Sequence, residues 1–146
     1  MILTTKGRYA VTAVIDLCEI LGSGSAPKAV RLESIAERQG ISLAYLEQIF
    51  SNLKKSGIVD SKKGPGGGYF LKKEAKNITI SEIIVATGEN IKMTSCSIGE
   101  KSACGSIKDE SGSKCKTHKL WKGLENNIHS YLGSISILDA VNNDYA

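Results

Sequence analysis

The sequence predicts a mainly α-helical chain with one small β-hairpin: a winged helix-turn-helix head and a long C-terminal dimerisation helix. Two short helical patterns joined by a glycine-containing turn, and a glycine-rich hairpin after them, support the head. A long amphipathic pattern near the C-terminus supports the last helix. We expect a head over residues 1–76, a short helix and a cysteine-rich loop over 77–116, and the long helix with a short terminal helix over 117–146.

The first two helices follow from apolar spacing and glycine stops. Thr5 is expected to cap the first helix, which Gly22 ends. Its apolar residues recur at intervals of three and four, as a buried stripe requires. Cys18 lies on that stripe, so we interpret it as a small core residue and not as a metal ligand. A shorter second helix is expected to end at Gly40.

The third helix has one apolar face and one polar face. Ser42 is expected to cap it and Gly57 to close it. Two helices joined by a tight glycine turn, with a polar outward face on the second, form a helix-turn-helix unit. The outward residues are Ala44, Tyr45, Glu47, Gln48, Ser51, Lys54 and Lys55.

A glycine-rich segment follows the third helix. Residues 58–61 and 69–71 are short β-capable runs, and the segment between them contains one proline and four glycines. This composition predicts the tip of a hairpin. A nucleotide-binding phosphate loop is the rival interpretation, but neither a helix start nor Gly-Lys-Ser/Thr follows these glycines.

Positive charge is concentrated in the predicted head. Residues 1–76 carry twelve Lys/Arg against seven Asp/Glu, whereas residues 77–146 carry seven against eight. A basic head on a near-neutral remainder is typical of a polyanion binder, although solvated surface lysines give the same count. Together with the helix-turn-helix and a slim lysine-bearing hairpin, the charge favours binding to double-stranded DNA.

The C-terminal part begins with a capping box, Thr79 to Glu82, which opens a short fourth helix. From Thr117 a long helix carries an apolar stripe that the small head has little surface to cover. A second copy of the chain is therefore the expected partner. A short terminal helix is expected over residues 134–142. The stripe consists of Leu120, Trp121, Leu124, Ile128 and Leu132.

Three of the four cysteines lie in a long loop and are followed at once by a histidine. A loop of this length in a compact chain is either functional or disordered. Thiolates and imidazole bind soft or borderline metals, and a Cys₃His set also suits a closed zinc site. Direct sensing of oxidant by the thiols is a third possibility. The predicted ligands are Cys96, Cys104, Cys115 and His118.

Composition narrows the class of protein. Apolar residues make up 41% of the chain and charged residues 23%, which are globular values. Because no secretory pattern or membrane-length apolar stretch is found, we expect a cytoplasmic protein with reduced cysteines and no membrane partner. The lack of a nucleophile–base motif, with only two histidines in the chain, argues against an enzyme.

Four stretches resemble one protein family: LTTKGRYAVTA, ERQGISLAYLEQIFSNLKKSGIV, KGPGGGYFL, and CKTH followed by LW. They are similar to the winged-helix transcriptional regulators related to IscR, the bacterial regulator of iron–sulfur cluster assembly. The resemblance extends from residue 3 to about residue 142. The pattern of three cysteines and one histidine resembles the IscR branch in particular.

This resemblance implies a homodimer that binds a palindromic operator and represses genes of iron–sulfur cluster biogenesis. It implies a [2Fe–2S] cluster on Cys96, Cys104, Cys115 and His118, supplied by the iron–sulfur assembly machinery, through which the dimer senses cluster, iron and redox status. A zinc-stabilised or thiol-redox-sensing regulator without the cluster is the alternative. The implied DNA contacts are Ser42, Tyr45, Glu47, Gln48, Ser51 and Lys54 on the third helix, with Lys63 and Gly64 on the hairpin.

Two implied contacts have side chains that can read bases. Gln48 can pair with adenine, and Glu47 can accept a hydrogen bond from cytosine N4. An acid beside a basic patch is unfavourable for phosphate contact, so we interpret Glu47 as a residue that penalises wrong bases; the alternative is an ordinary exposed acid. Lys54 and Lys63 are expected to position the DNA backbone. Lys63 stands where the family prefers arginine, which has planar bidentate reach.

Overall fold

A computed structural model describes residues 4–22, 28–91 and 116–145 of the chain. These residues are mainly helical with one two-stranded antiparallel sheet, so the predicted fold class is confirmed. None of the helices described there has the length and apolar character that crossing a membrane requires. The helices are α1 (Thr5–Gly22), α2 (Leu32–Gln39), α3 (Leu43–Lys55), α4 (Ile80–Ala86), α5 (His118–Ser134) and α6 (Ile137–Asn142); the strands are β1 (Val59–Lys62) and β2 (Gly68–Leu71).

Helix α1 is central to the packing and contacts α2, α3, α4, α6 and β2. Small side chains on its buried stripe let several elements approach it closely. Cys18, predicted as a core residue on this stripe, is half-buried and packs against the core from its edge; burial raises the pKa of its thiol. The fully buried residues of the stripe are Ala10, Ala13, Val14 and Leu17.

Helices α2 and α3 form the predicted helix-turn-helix. Helix α2 ends at Gly40, which adopts a left-handed φ of 63° and donates its N–H to the carbonyl of Ala36. Gly40, Ile41 and the cap residue Ser42 are the three residues that separate the helices. The Ser42 hydroxyl oxygen accepts a hydrogen bond from the N–H of Tyr45 at 3.2 Å, so the predicted cap is confirmed.

An ionic network with one buried member, Asp16, joins α1 to α2. The carboxylate of Asp16 accepts hydrogen bonds from the Arg38 guanidinium at 2.5 Å and from the Gln39 amide at 2.6 Å. Burial alone would raise the pKa of Asp16, but the hydrogen bonds outweigh it and hold that pKa below its usual value. The network therefore fixes the position of the helix-turn-helix on α1.

The hairpin of β1 and β2, here called the wing (residues 59–71), has Val59 opposite Leu71. Strand β2 also pairs with Val30, which lies ahead of α2. The N–H of Tyr69 donates to the carbonyl of Val30 at 2.7 Å, and the N–H of Val30 donates to the carbonyl of Tyr69 at 2.8 Å. Glycine is required at Gly68, because a Cβ there would overlap the carbonyl group of Val30. The wing is thus held directly against the helix-turn-helix.

Capping boxes open both α4 and α6. In α4 the Thr79 hydroxyl accepts from the N–H of Glu82, and the Glu82 carboxylate accepts from the N–H of Thr79, as predicted. Ser136 and Asp139 form the same reciprocal pair in α6. The terminal helix predicted over 134–142 therefore begins later, because Ser136 is its cap and an extended residue precedes that cap.

Backbone hydrogen bonds join the starts of α4 and α6. The N–H of Ile80 donates to the carbonyl of Ile135 at 3.0 Å, and the N–H of Ile137 donates to that of Ile78 at 2.8 Å. All four isoleucines are buried in the same core as α1. The described core is therefore continuous across the predicted boundaries, and the division into three parts stays a prediction.

The apolar stripe of α5 is partly uncovered. Leu120, near the start of the helix, is 62% exposed, and Trp121 and Leu124 are also exposed. Ile128 and Leu132, towards the other end, pack partly against the core. The N-terminal half of α5 thus presents an apolar surface for which the described residues supply no cover.

Replacing Asp16 with asparagine should lower the free energy of unfolding by about 1–3 kcal/mol at neutral pH, because Arg38 loses its charged acceptor. The native pKa of Asp16 is lowered. The contribution of the Asp16 carboxylate to the free energy of unfolding is therefore complete above the pKa of the unfolded chain, about 3.9. It is lost as the pH falls through the lower pKa of the folded protein. The difference between parent and variant in urea unfolding should narrow below about pH 4.

The exposed acid Glu33 provides the matched control for this prediction, because Glu33→Gln removes the same charge from α2. It should change stability by about 0.5 kcal/mol or less. A destabilisation by Asp16→Asn that stays equal across the whole acid range would contradict a role for the carboxylate charge.

Candidate nucleic-acid interface

The outward face of α3 is an open polar surface. Its apolar side chains are buried on the opposite side of the helix, so the polar residues predicted to face outward are exposed or half-exposed. The centre of this face is a shallow depression, which we call the α3 surface. It is lined by Lys6, Ala44, Glu47, Gln48, Ser51 and Asn52.

The structure adds Lys6, and Asn52 of α3, to the residues that the sequence predicted for this surface. Lys6 lies in the first turn of α1 and reaches the α3 surface because α1 packs against α3. It belongs to the stretch TTKGRYAV, which supported the family resemblance without a role for the lysine. Only the packing of the two helices identifies it.

Tyr45 is held in place by α1. Its ring contacts that of Tyr9 edge to face, with centroids 5.9 Å apart and planes at 81°. The side chain is half-buried against the core. An aromatic side chain positioned in advance loses little conformational entropy when it contacts a ligand.

Ser42 lies at the N-terminus of α3. Its hydroxyl oxygen accepts the cap hydrogen bond, and its hydroxyl hydrogen can still donate to a ligand. The first-turn N–H groups of a helix also favour an anion at this end. The position of Ser42 therefore suits contact with a phosphate group.

Lys54 connects α3 to the wing. Its Nζ donates to the Ser61 hydroxyl oxygen at 2.7 Å and lies 3.7 Å from Oδ1 of Asp60. The sequence predicted Lys54 only as a DNA contact; in the structure it joins the end of the helix to β1. The side chain is half-exposed, so solvent weakens the ion pair and the link is mainly geometric.

The wing tip presents positive charge that is not neutralised nearby. Lys62 and Lys63 are exposed, and neither forms an ion pair with a carboxylate in the described parts of the chain. The amino groups of Lys73 and Lys76, by contrast, lie 2.6 and 2.8 Å from carboxylate oxygens. The tip, next to Gly64, therefore offers a polyanion positive charge that no described acid already pairs with.

The structure describes one of the four predicted metal ligands. His118 is the first residue of α5 and is half-buried. Cys96, Cys104 and Cys115 lie outside the described residues, so the ligand set stays a prediction. Across residues 4–22, 28–91 and 116–145, no group of three His, Cys, Asp or Glu side chains is placed to hold a metal ion.

The chain matches known regulators over nearly its whole length. A family model described as Rrf2, iron-dependent transcriptional regulator, matches residues 3–143. The HTH-type transcriptional regulator IscR of Photorhabdus laumondii is 47% identical over 143 residues, which are 98% of this chain and 80% of that protein. The protein of the same name from Escherichia coli O1:K1 is 47% identical over 98% of this chain and 82% of its own length. These relatives are named regulators, so the prediction of a non-enzyme is confirmed.

Two solved structures share the fold. IscR of T. potens superposes with a TM-score of 0.74 at 34% identity, over 98% of this chain and 88% of that chain. CymR, the global cysteine regulator of B. subtilis, superposes with a TM-score of 0.75 at 28% identity, over 98% of both chains. The winged-helix prediction is confirmed by these likenesses.

Proposed function

The chain belongs to the Rrf2 family of transcriptional regulators and is of the IscR type; on this premise we propose that it binds a palindromic operator in double-stranded DNA as a homodimer. The proposal includes a [2Fe–2S] cluster that sets operator choice and a cluster-loaded dimer that represses genes of iron–sulfur cluster assembly. The proposed ligands are Cys96, Cys104, Cys115 and His118.

One arrangement carries the DNA-binding proposal: an exposed polar helix face joined to a lysine-bearing wing. Helix α3 has the dimensions to enter a major groove with Glu47 and Gln48 towards the base edges. Lys54 holds the wing beside the end of that helix. Lys63 and Gly64 at the tip are then in position to meet the sugar–phosphate backbone, where a tip of glycines has little bulk.

Contacts within the proposed site divide into reading and positioning. Gln48 can bind the N6 and N7 edge of adenine with two hydrogen bonds, and Glu47 can accept from cytosine N4. Ser42 and Ser51 donate hydroxyl hydrogens, and Tyr45 is already fixed by α1. Lys63 attracts a duplex of any sequence through the phosphate charge, so sequence specificity depends on Glu47 and Gln48 of α3.

The uncovered stripe of α5 supports the dimer. A copy of the same helix, related by a twofold axis, would cover the exposed side chains around Leu120 and Leu124. A twofold dimer presents two α3 helices to one face of the duplex. Their spacing must match one helical turn, roughly 34 Å, so a palindromic operator follows from the symmetry.

The donor set fits the proposed cluster. Three thiolates with one imidazole suit a [2Fe–2S] centre, and the imidazole favours a higher reduction potential than four thiolates would. When bound, the cluster supplies a labile one-electron centre whose occupancy depends on iron, oxidant and the assembly machinery that donates it. His118 opens α5, so ligation at this residue attaches the cysteine loop to the proposed dimer helix.

Lys63→Ala should weaken binding to duplexes of any sequence, because it removes one phosphate contact. The slope of log K against log salt concentration should fall by about one unit in fluorescence-anisotropy titrations. Lys76→Ala is the control: it makes the same charge change at an ammonium that is paired with Glu74. An unchanged slope for Lys63→Ala would exclude it from the phosphate contacts.

Glu47→Ala should bind DNA more tightly but less selectively. Removal of an acid near phosphates raises affinity, and loss of the acceptor relaxes the preference at its base position by roughly 1–3 kcal/mol. Selection of bound duplexes from a randomised library, followed by sequencing, measures the base preference, and fluorescence-anisotropy titrations measure the affinity. Glu37→Ala, at an exposed acid on α2, is the control. Identical base preferences in parent and Glu47→Ala would refute the reading role.

The cluster proposal is tested by anaerobic purification with iron and sulfide analysis. Cys104→Ala should abolish cluster binding, whereas Cys18→Ala should leave the iron content unchanged because Cys18 lies on α1, half-buried against the core. Gel-shift titrations of loaded and stripped protein should then give different operator preferences. A colourless zinc form, or equal affinity of both forms for every duplex tried, would contradict the proposed switch.

A further inference from the structure

The first turn of α1 is capped by an acid from the far side of the sequence. Gly7 is buried, and its N–H belongs to the first turn, where a helix has no internal acceptor. The carboxylate of Glu89 fills that role, with Oε1 at 3.2 Å from the Gly7 nitrogen. The prediction that Thr5 caps this helix is therefore wrong: Thr5 is the first helical residue, and the acceptor comes from beyond α4.

The residues on either side of Glu89 place it at this position. It follows Gly88, whose left-handed φ of 83° turns the chain away from α4, and it precedes Ile91, which is buried in the core. Its other oxygen, Oε2, is shielded from water and receives no hydrogen bond within the described residues. The carboxylate is thus committed to the N-terminus of α1, where the helix dipole favours a negative charge.

The turn that Glu89 caps carries one wall of the α3 surface. Lys6 precedes Gly7 directly and lines the depression with Gln48 and Ser51. Tyr9 lies three residues after Lys6 on the same helix, and its ring packs edge to face against that of Tyr45. The hydrogen bond to Gly7 therefore lies one residue from a cation that faces the proposed DNA-binding surface.

We propose that Glu89 is a positioning residue for DNA binding: its hydrogen bond to Gly7 orders the first turn of α1 and so holds Lys6 at the edge of the α3 surface, where Lys6 contacts a phosphate. The inference rests on the proposed function and deepens it. It extends the DNA-binding surface from α3 and the wing to α1, and it makes an acid outside that surface necessary for a basic contact within it.

Charge and position predict opposite effects for this residue. Removing an acid from a DNA-binding protein raises its net positive charge and ordinarily tightens binding to any duplex. Glu89→Ala should instead weaken binding, because the first turn frays and Lys6 no longer stays near the phosphate. The sign of the change therefore separates a positioning role from simple electrostatics.

The test is a double-mutant cycle on mixed-sequence duplex DNA, measured by fluorescence anisotropy over a range of salt. Near 0.1 M salt, Lys6→Ala and Glu89→Ala should each weaken binding by about fivefold to tenfold and lower the salt slope by about one unit. The double variant should bind no more weakly than either single variant, since both remove the same contact. Glu89→Gln, which keeps an acceptor for Gly7, should bind within about twofold of the parent.

Two controls make the outcome decisive. Glu19→Ala removes an exposed acid from the same helix and should bind as tightly as the parent or more tightly. Amide hydrogen exchange at Gly7 should accelerate in Glu89→Ala and not in Glu89→Gln. Binding by Glu89→Ala at or above the parental level, or losses that multiply in the double variant, would overturn the inference while the proposed function stands. A parent protein that binds no duplex DNA would overturn both.

Discussion

The two backbone hydrogen bonds between Val30 and Tyr69 are the main-chain link that holds the wing against the helix-turn-helix. Val30 lies just ahead of α2 and Tyr69 lies in β2, so this pairing fixes the wing relative to the helix-turn-helix. The ring of Tyr69 also contacts that of Phe50 on α3, at a centroid distance of 5.0 Å. Because Gly68 lacks a Cβ, the backbones can approach this closely. The separation between the lysines of the tip and α3 is therefore set by this main-chain pairing together with the Phe50–Tyr69 contact and the Lys54–Ser61 hydrogen bond.

Local signals predicted the elements well because the interactions behind them span only a few residues. The Ser42 cap, the Gly40 stop and the Thr79–Glu82 box each involve groups within four positions of one another, and each is confirmed. The cap of α1 was not predictable in this way. Its acceptor, Glu89, is distant in sequence and reaches the helix because α4 packs against α1.

The candidate site likewise has features that local sequence predicts and features that only the packed fold reveals. Helical periodicity identified the exposed face of α3, because its apolar residues mark the buried side. Counting lysines could not show that Lys54 is bonded to Ser61, or that Lys73 and Lys76 are paired with acids, since these pairings depend on the packed fold. The role of the cysteines rests on residue chemistry and family membership, because the described residues include only His118 of the proposed ligands.

The uncovered stripe of α5 includes Trp121, the single tryptophan of the chain. The fluorescence of an indole shifts to shorter wavelength when water is removed from around it. Trp121 therefore reports directly on whether the stripe of α5 is covered. Dilution series and ligand additions can be followed through this one chromophore without attaching a dye. The emission maximum then distinguishes a covered α5 from a solvated one under any condition in which DNA binding is measured.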